Sequence, residues 1–486
     1  MFDYSAFATR KLAALGPKYL PFADVATAEV PLRRLLRLSL FQVTVGMALV
    51  LLVGTLNRVM IVELSVPASL VALMLALPLI FAPFRTLIGF KSDVHVSALG
   101  LRRVPYIWKG TLFQFGGFAI MPFALLVLSR YGYAADAPLW LGYISAALSF
   151  LLVGAGVHMV QTVGLALATD LVKEQDQPKV VGLMYVMLLV GMVVSALIFG
   201  ALLETFSAGR LAQVIQGAAV VTVGLNMYAM WQQEPRDRER ARMMKQAEPM
   251  YFSDAWKLLM QSKGMLRLLI VIGLGTFGFG MADVLLEPYG GQALGLSVAN
   301  TTKLTALFAA GTLLGFGIAS RGLAQNGSPA WFGIYGAAIG VPGFAAIILS
   351  SQGAGIPAFL MGVLATGIGA GLFGHATLTA TIRAAPKERI GLALGAWGAV
   401  QATSAGIGIA LAGILRDVII GFQGASGNTS ETPYNVVFTI EIVFLISAIA
   451  VAMPFVRNMK KRRNQPETCV PGPEHSNANT NPVEVS

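Results

Sequence analysis

Asp283 and Glu287 stand four residues apart inside a long apolar run, with Pro288, Tyr289, Gly290 and Gly291 directly after them. That spacing puts both carboxyls on one face of a helix. Carboxyls so placed can pair with a buried cation, exchange protons or contact a ligand. Asn57 and Arg58 lie toward the end of another apolar run, His158 and Gln161 lie in a third, and His375 lies in a fourth. Arg58 is the natural ion-pair partner for either acid. The two imidazoles can pack through hydrogen bonds, carry protons or ligate a metal. Glu441, in the last apolar run, is expected to mark a helix end or a hydrogen bond between helices. A charge at the centre of a membrane helix costs about 2.5–3.5 kcal/mol on insertion scales, so such residues are expected to face the protein interior.

The elements that must position these groups follow from composition. The chain has 486 residues, of which 56% are apolar and 12% charged, with mean hydropathy +0.69. A soluble domain carries roughly 25% charged residues, so a water-soluble enzyme and a disordered chain are both excluded. The single cysteine, Cys469, rules out a disulfide framework and a multi-cysteine metal site. Twelve apolar spans are expected, near 38–62, 66–88, 104–129, 139–168, 180–203, 211–231, 267–290, 301–320, 330–350, 356–382, 389–415 and 435–456. In hydrocarbon each backbone N–H and C=O needs an internal partner, so spans of this length must be helices. Residues 1–35 contain no apolar core of signal-peptide type. Their Phe7, Leu12, Leu15 and Tyr19 among Arg10, Lys11 and Lys18 suit either a helix on the membrane surface or a solvated segment.

Charge gives orientation. With both termini cytoplasmic, all but five of the 35 basic residues fall on cytoplasmic segments; the five are Arg58, Arg130, Arg210, Lys303 and Arg416. This is a strong positive-inside bias. The net charge of +11 then points to anionic lipid headgroups and not to nucleic acid. The polar stretch 232–264 divides the spans six and six. Short matches recur in order across it: Leu36-Arg37-Leu38 with Leu266-Arg267-Leu268, Leu64-Ser65-Val66 with Leu296-Ser297-Val298, Ala168-Thr169 with Ala380-Thr381, and Gly182-Leu183 with Gly391-Leu392. The expected organisation is an N-terminal segment 1–35, a six-helix bundle 36–231, a central cytoplasmic loop 232–264, a second bundle 265–457 and a basic, then disordered, cytoplasmic tail 458–486. Parallel repeats of this kind build the major facilitator fold, with a site between the halves. The expected fold class is therefore an all-α membrane protein with twelve transmembrane helices in two pseudo-symmetric bundles. In such folds helices 1, 4, 7 and 10 line the central cavity, and each carries one of the polar groups above.

Gly89 and Asp93 after span 2, followed by Arg102 and Arg103 before span 3, match the facilitator gate motif of Gly-x3-Asp with a basic pair. The gap between Asp93 and the arginines is about five residues longer than usual. Gly273-Leu-Gly275-Thr-Phe-Gly278 spells a dinucleotide fingerprint, but it lies inside span 7 and opens no βαβ unit. No phosphate loop, nucleophile elbow or zinc-protease motif is present, so no catalytic residue and no metal site of the protein's own is expected.

Several segments carry a resemblance. They are Leu56-Asn-Arg-Val-Met-Ile-Val-Glu-Leu64, Ala82-Pro-Phe-Arg-Thr-Leu-Ile-Gly-Phe-Lys-Ser-Asp93, Arg103-Val-Pro-Tyr-Ile-Trp108, Gln161-Thr-Val-Gly-Leu-Ala-Leu-Ala-Thr-Asp170 and Leu286-Glu-Pro-Tyr-Gly-Gly291. Over roughly residues 20–457 the chain resembles the bacteriochlorophyll delivery family of the major facilitator superfamily, the PucC/LhaA type of purple phototrophic bacteria. The resemblance implies an assembly factor for light-harvesting antenna complexes, LH1 or LH2, which binds bacteriochlorophyll as cargo and delivers it to antenna α and β polypeptides. It also implies the reaction centre–LH1 complex as a partner, and the cytoplasmic or intracytoplasmic membrane of a phototroph as the location. His158 or His375 would then be a magnesium ligand of a bound chlorin. The alternative from the residues alone is a proton-coupled transporter of a small solute, with Asp283 and Glu287 as the coupling acids.

Overall fold

A computed structural model describes residues 30–80, 88, 92, 101–173, 176–234, 264–325, 327–384, 390–423 and 431–464. Their regular structure is helical, with no strand among them. In chain order the helices are α1 (Leu32–Glu63), α2 (Ala68–Ile80), α3 (Val104–Leu128), α4 (Leu139–Asp170), α5 (Gln177–Leu202), α6 (Ala208–Met230), α7 (Met265–Gln292), α8 (Val298–Ala324), α9 (Pro329–Leu349), α10 (Gly355–Ala384), α11 (Ile390–Gln423) and α12 (Thr432–Asn464). Each expected span overlaps one of them. Ten helical runs among the described residues are long and apolar enough to cross a membrane. One of these, Pro329–Ala384, is 56 residues long, or about 84 Å at 1.5 Å per residue, far beyond a bilayer. It folds back at Gly353 (φ +114°) and Gly355 (φ +70°), backbone conformations that glycine adopts without penalty. Gly336 then lies against Gly369, and Gly343 against Gly362 and Thr366, so α9 and α10 pack antiparallel. Helix α2 is described for only 13 residues.

The face at which α1 begins and α12 ends is termed near, the opposite face far. The packing repeats six helices on: α3 packs on α4 and α6 as α9 packs on α10 and α12, α1 on α5 and α6 as α7 on α11 and α12, and α2 on α4 as α8 on α10. The halves meet where α2 lies on α11, α5 on α8, and α1 on α7 and α8. This is the two-bundle architecture of the major facilitator fold. Lipid-like solvent offers no hydrophobic drive between helices, so close backbone approach must supply the packing. Gly367 and Gly371 do this for α10: a methyl there would lie 2.4 Å and 2.1 Å from the Phe308 and Thr312 carbonyl oxygens of α8.

Candidate functional site

The seam between halves is built around Pro288. Proline has no N–H, so the carbonyl four residues earlier loses its helical partner. That carbonyl belongs to Val284, and Asn57 Nδ2 of α1 donates to it at 2.9 Å. Asn57 is fully buried, and the bond satisfies an acceptor that hydrocarbon would leave stranded. Helix α1 is wide-wound on either side of this point, over Val50–Leu56 and Val59–Glu63. Such i→i+5 turns recur at functional sites.

Arg58 does not pair with Asp283 or Glu287, which corrects the sequence expectation. Its guanidinium pairs with Glu63 and donates to the Leu296 carbonyl at 3.0 Å. The wide turn stacks residues five apart, so the cation is met from its own helix. Gly291 makes room for it: a methyl there would stand 3.1 Å from Arg58 Nε. Glu287, 3% exposed, instead accepts from Thr305 Oγ1 of α8 at 2.9 Å. Gly54 is required at this crossing, because a methyl on it would stand 2.2 Å from that same Thr305 oxygen. Thr55 and Thr302 hydroxyls meet 3.3 Å apart beside it. Asp283 is half-buried one turn before Glu287. Helix α7 is interrupted at Met281, and the Ala282 N–H that begins its second part donates to the fully buried Glu441 of α12. Glu441 thus serves a helix start and joins two helices at once.

A second far-face cluster was not anticipated. Arg416 of α11 donates to Asp417 Oδ1 and to Gln292 Oε1, each at 2.8 Å; Tyr434 of α12 donates to Gln292 Oε1 at 2.6 Å. Asp417 Oδ2 accepts the Ser69 N–H at 2.7 Å, one of the orphan donors at the start of α2. Lys303 of α8 pairs with Glu204 beyond α5 at 3.3 Å. Sequence had placed Arg416 and Lys303 only among the basic residues of the far side. The adjacent Arg416-Asp417 pair within an apolar helix was the available signal.

His158 of α4 and His375 of α10 are both half-buried. His158 follows by four residues Gly154, where a methyl would meet Pro78 of α2. His375 follows by four residues Gly371, which abuts α8. The His375 ring lies 4.1 Å from that of Phe316 of α8, and its Nδ1 has no hydrogen-bond partner among the described residues. Gln161 is half-buried on α4 one turn beyond His158. The seam unites Asn57 and Arg58 with α7; His158 and Gln161 lie on α4 and His375 on α10, each half-buried.

At the near face, Arg102 and Arg103 are buried. Asp170 Oδ2, at the end of α4, accepts from Arg103 Nε at 3.1 Å and Arg102 Nη2 at 3.3 Å; Arg103 Nη1 donates to Ser92 at 2.8 Å. The Glu234 carboxylate takes the backbone N–H groups of Arg102, Arg103 and Val104 at 2.8–3.1 Å, capping α3. Gly89 and Asp93 of the expected gate motif lie outside the described residues.

Comparison with known proteins places this arrangement. Residues 55–460 match the family described as PUCC protein. The chain belongs to the PucC family. Protein PucC of Rhodobacter capsulatus is 67% identical over 456 residues, 93% of this chain and 99% of that protein. Protein PucC of Rhodovulum sulfidophilum is 61% identical over 432 residues, 89% of this chain and 95% of that protein. Among solved structures, a bacterial homolog of the human lysosomal transporter Spinster, in an inward-facing and unoccupied conformation, superposes with TM-score 0.64 at 17% identity, covering 89% of this chain and 98% of the other. At that identity the likeness concerns the fold. This PucC-family chain is therefore a multi-pass membrane protein of facilitator architecture, with Asn57, Arg58, Thr305 and the Arg416 cluster joining its helices toward the far face.

Proposed function

We propose that this protein is an assembly factor for light-harvesting antenna complexes, LH1 or LH2, that binds bacteriochlorophyll and delivers it to the antenna α and β polypeptides, and that it is not an enzyme. Membership of the PucC family carries the reading, since it implies a role in the assembly of photosynthetic complexes. His375 fits the pigment. Its Nδ1 is unpartnered among the described residues, and Phe316 lies against its ring. Neutral imidazole is a common metal ligand, and the pigment's magnesium needs one. His158 of α4 is the other candidate ligand. The positive-inside bias supports both termini being cytoplasmic, in the inner or intracytoplasmic membrane, with the reaction centre–LH1 complex as a further partner. Purification in mild detergent from a pigment-producing cell, with an absorption spectrum and mass spectrometry, tests this. Bacteriochlorophyll or antenna subunits are expected, with pigment reduced in His375→Ala. Recovery of neither would overturn it.

One observation favours a second reading. Glu287 Oε2 is buried without a partner among the described residues, the state of an acid that exchanges a proton during transport. Solute uptake driven by a proton gradient and lost in Glu287→Gln, with antenna assembly unchanged, would select that reading.

A further inference from the structure

At the near face of the C-terminal half, a cavity of about 390 Å³ opens between α7, α9, α10 and α12. Its two ends differ. The deep end is lined by Val271, Ile334, Ala337 and Phe373, and the mouth by Ser328 and Arg383. From Pro329 at the mouth to Ala337 is eight residues of α9, or about 12 Å of depth. The slot is apolar along that length and carries its charge at one end, which is the pattern of an amphiphile in one leaflet.

Among the described residues the charge at the mouth has no countercharge. Arg383 is exposed, and its Nη1 and Nη2 each donate to a backbone carbonyl, Gly327 and Leu323, at 3.2 Å. Those bonds fix the group and leave three of its five N–H donors. Among the described residues no carboxylate pairs with it. The matching place in the N-terminal half is supplied from within: Ala168-Thr169 of α4 leads to Asp170, which serves Arg102 and Arg103. After the corresponding Ala380-Thr381 of α10 come Ile382 and Arg383. Ile382 stands where the acid stood, and the charge at this end of α10 is the Arg383 cation, open to an anion at the mouth.

We propose that this cavity holds one acyl chain of an anionic phospholipid, with the phosphate on Arg383. Guanidinium presents a planar fork to phosphate oxygens, and small side chains leave the slot for the chain. The test is native mass spectrometry of the purified full chain with added phosphatidylglycerol or phosphatidylcholine. Wild type should retain one phosphatidylglycerol at least tenfold more tightly than phosphatidylcholine. Arg383→Gln should abolish that preference, and Arg383→Lys should keep most of it. Ala337→Phe should remove both lipids by filling the slot; Ala376→Leu is a smaller filler that reports the same if the first variant does not fold. Equal retention in wild type and a folded filler overturns the proposal. So does a wild type with no preference for phosphatidylglycerol, or a cavity that retains a chlorin in place of the lipid.

Discussion

In the N-terminal half, the near-face ends of α1, α3, α4 and α6 meet through charge and hydrogen bonds. Arg34 donates to Gln233 and Arg37 to the Trp231 carbonyl, Asp170 holds Arg102 and Arg103, and Glu234 caps α3. In the C-terminal half the matching ends of α7, α9, α10 and α12 surround a cavity, with Arg383 at its mouth. The helix packing repeats, but the chemistry at its ends does not. A duplicated bundle needs repeated small-residue crossings to pack. The polar groups at the helix ends are free to diverge, because water, headgroups or a bound ligand can satisfy them there.

The sharpest way to break this comparison is Asp170→Ala. It removes a carboxylate that two buried guanidinium groups share, a loss of about 3 kcal/mol, read as thermal unfolding in detergent. Next is the seam, which belongs to both halves. Asn57→Leu strands the Val284 carbonyl and should cost about 2 kcal/mol. In a Pro288→Ala background the helix can supply its own N–H again, so a double-mutant cycle should recover at least half of that loss. An unchanged cost would show that Asn57 acts through something other than the freed carbonyl. Smaller still, Glu234→Ala removes the cap of α3 and should cost about 1 kcal/mol, seen as faster amide exchange in the first turn of that helix. Smallest is Arg383→Gln, whose exposed side chain should change detergent stability by less than about 1 kcal/mol. If Arg383→Gln proved as damaging as Asp170→Ala, the two corners would be equivalent and the contrast lost.

The apolar spans were legible because hydrocarbon imposes a length and an internal hydrogen-bond requirement on every crossing; the helix ends, which run as much as eight residues past the expected spans, were not. That Asn57, Arg58 and Glu287 would be buried inside was also legible from the cost of polar groups in lipid. Their partners were not. The Arg58 pairing with Glu63 depends on wide helical turns that no spacing rule for an ordinary α-helix anticipates. The freed Val284 carbonyl could be inferred from Pro288, but only the crossing of α1 and α7 selects Asn57 to fill it. Glu441 was read as a helix end or an interhelical bond. It is the interhelical bond: from within α12 it accepts the N–H at which the second part of α7 begins. Asp170 was visible as part of a family-like segment, with no hint that it closes on arginines sixty-odd residues earlier.

The sequence by itself determined that this chain must cross a membrane many times as a doubled helical bundle with costly polar groups turned inward, because solvent alone sets those terms. Only the tertiary structure decided which group satisfies which. A hydrogen bond or ion pair needs its partners within about 3 Å and correctly aimed, and helices far apart in the chain reach that distance only after the bundle has packed.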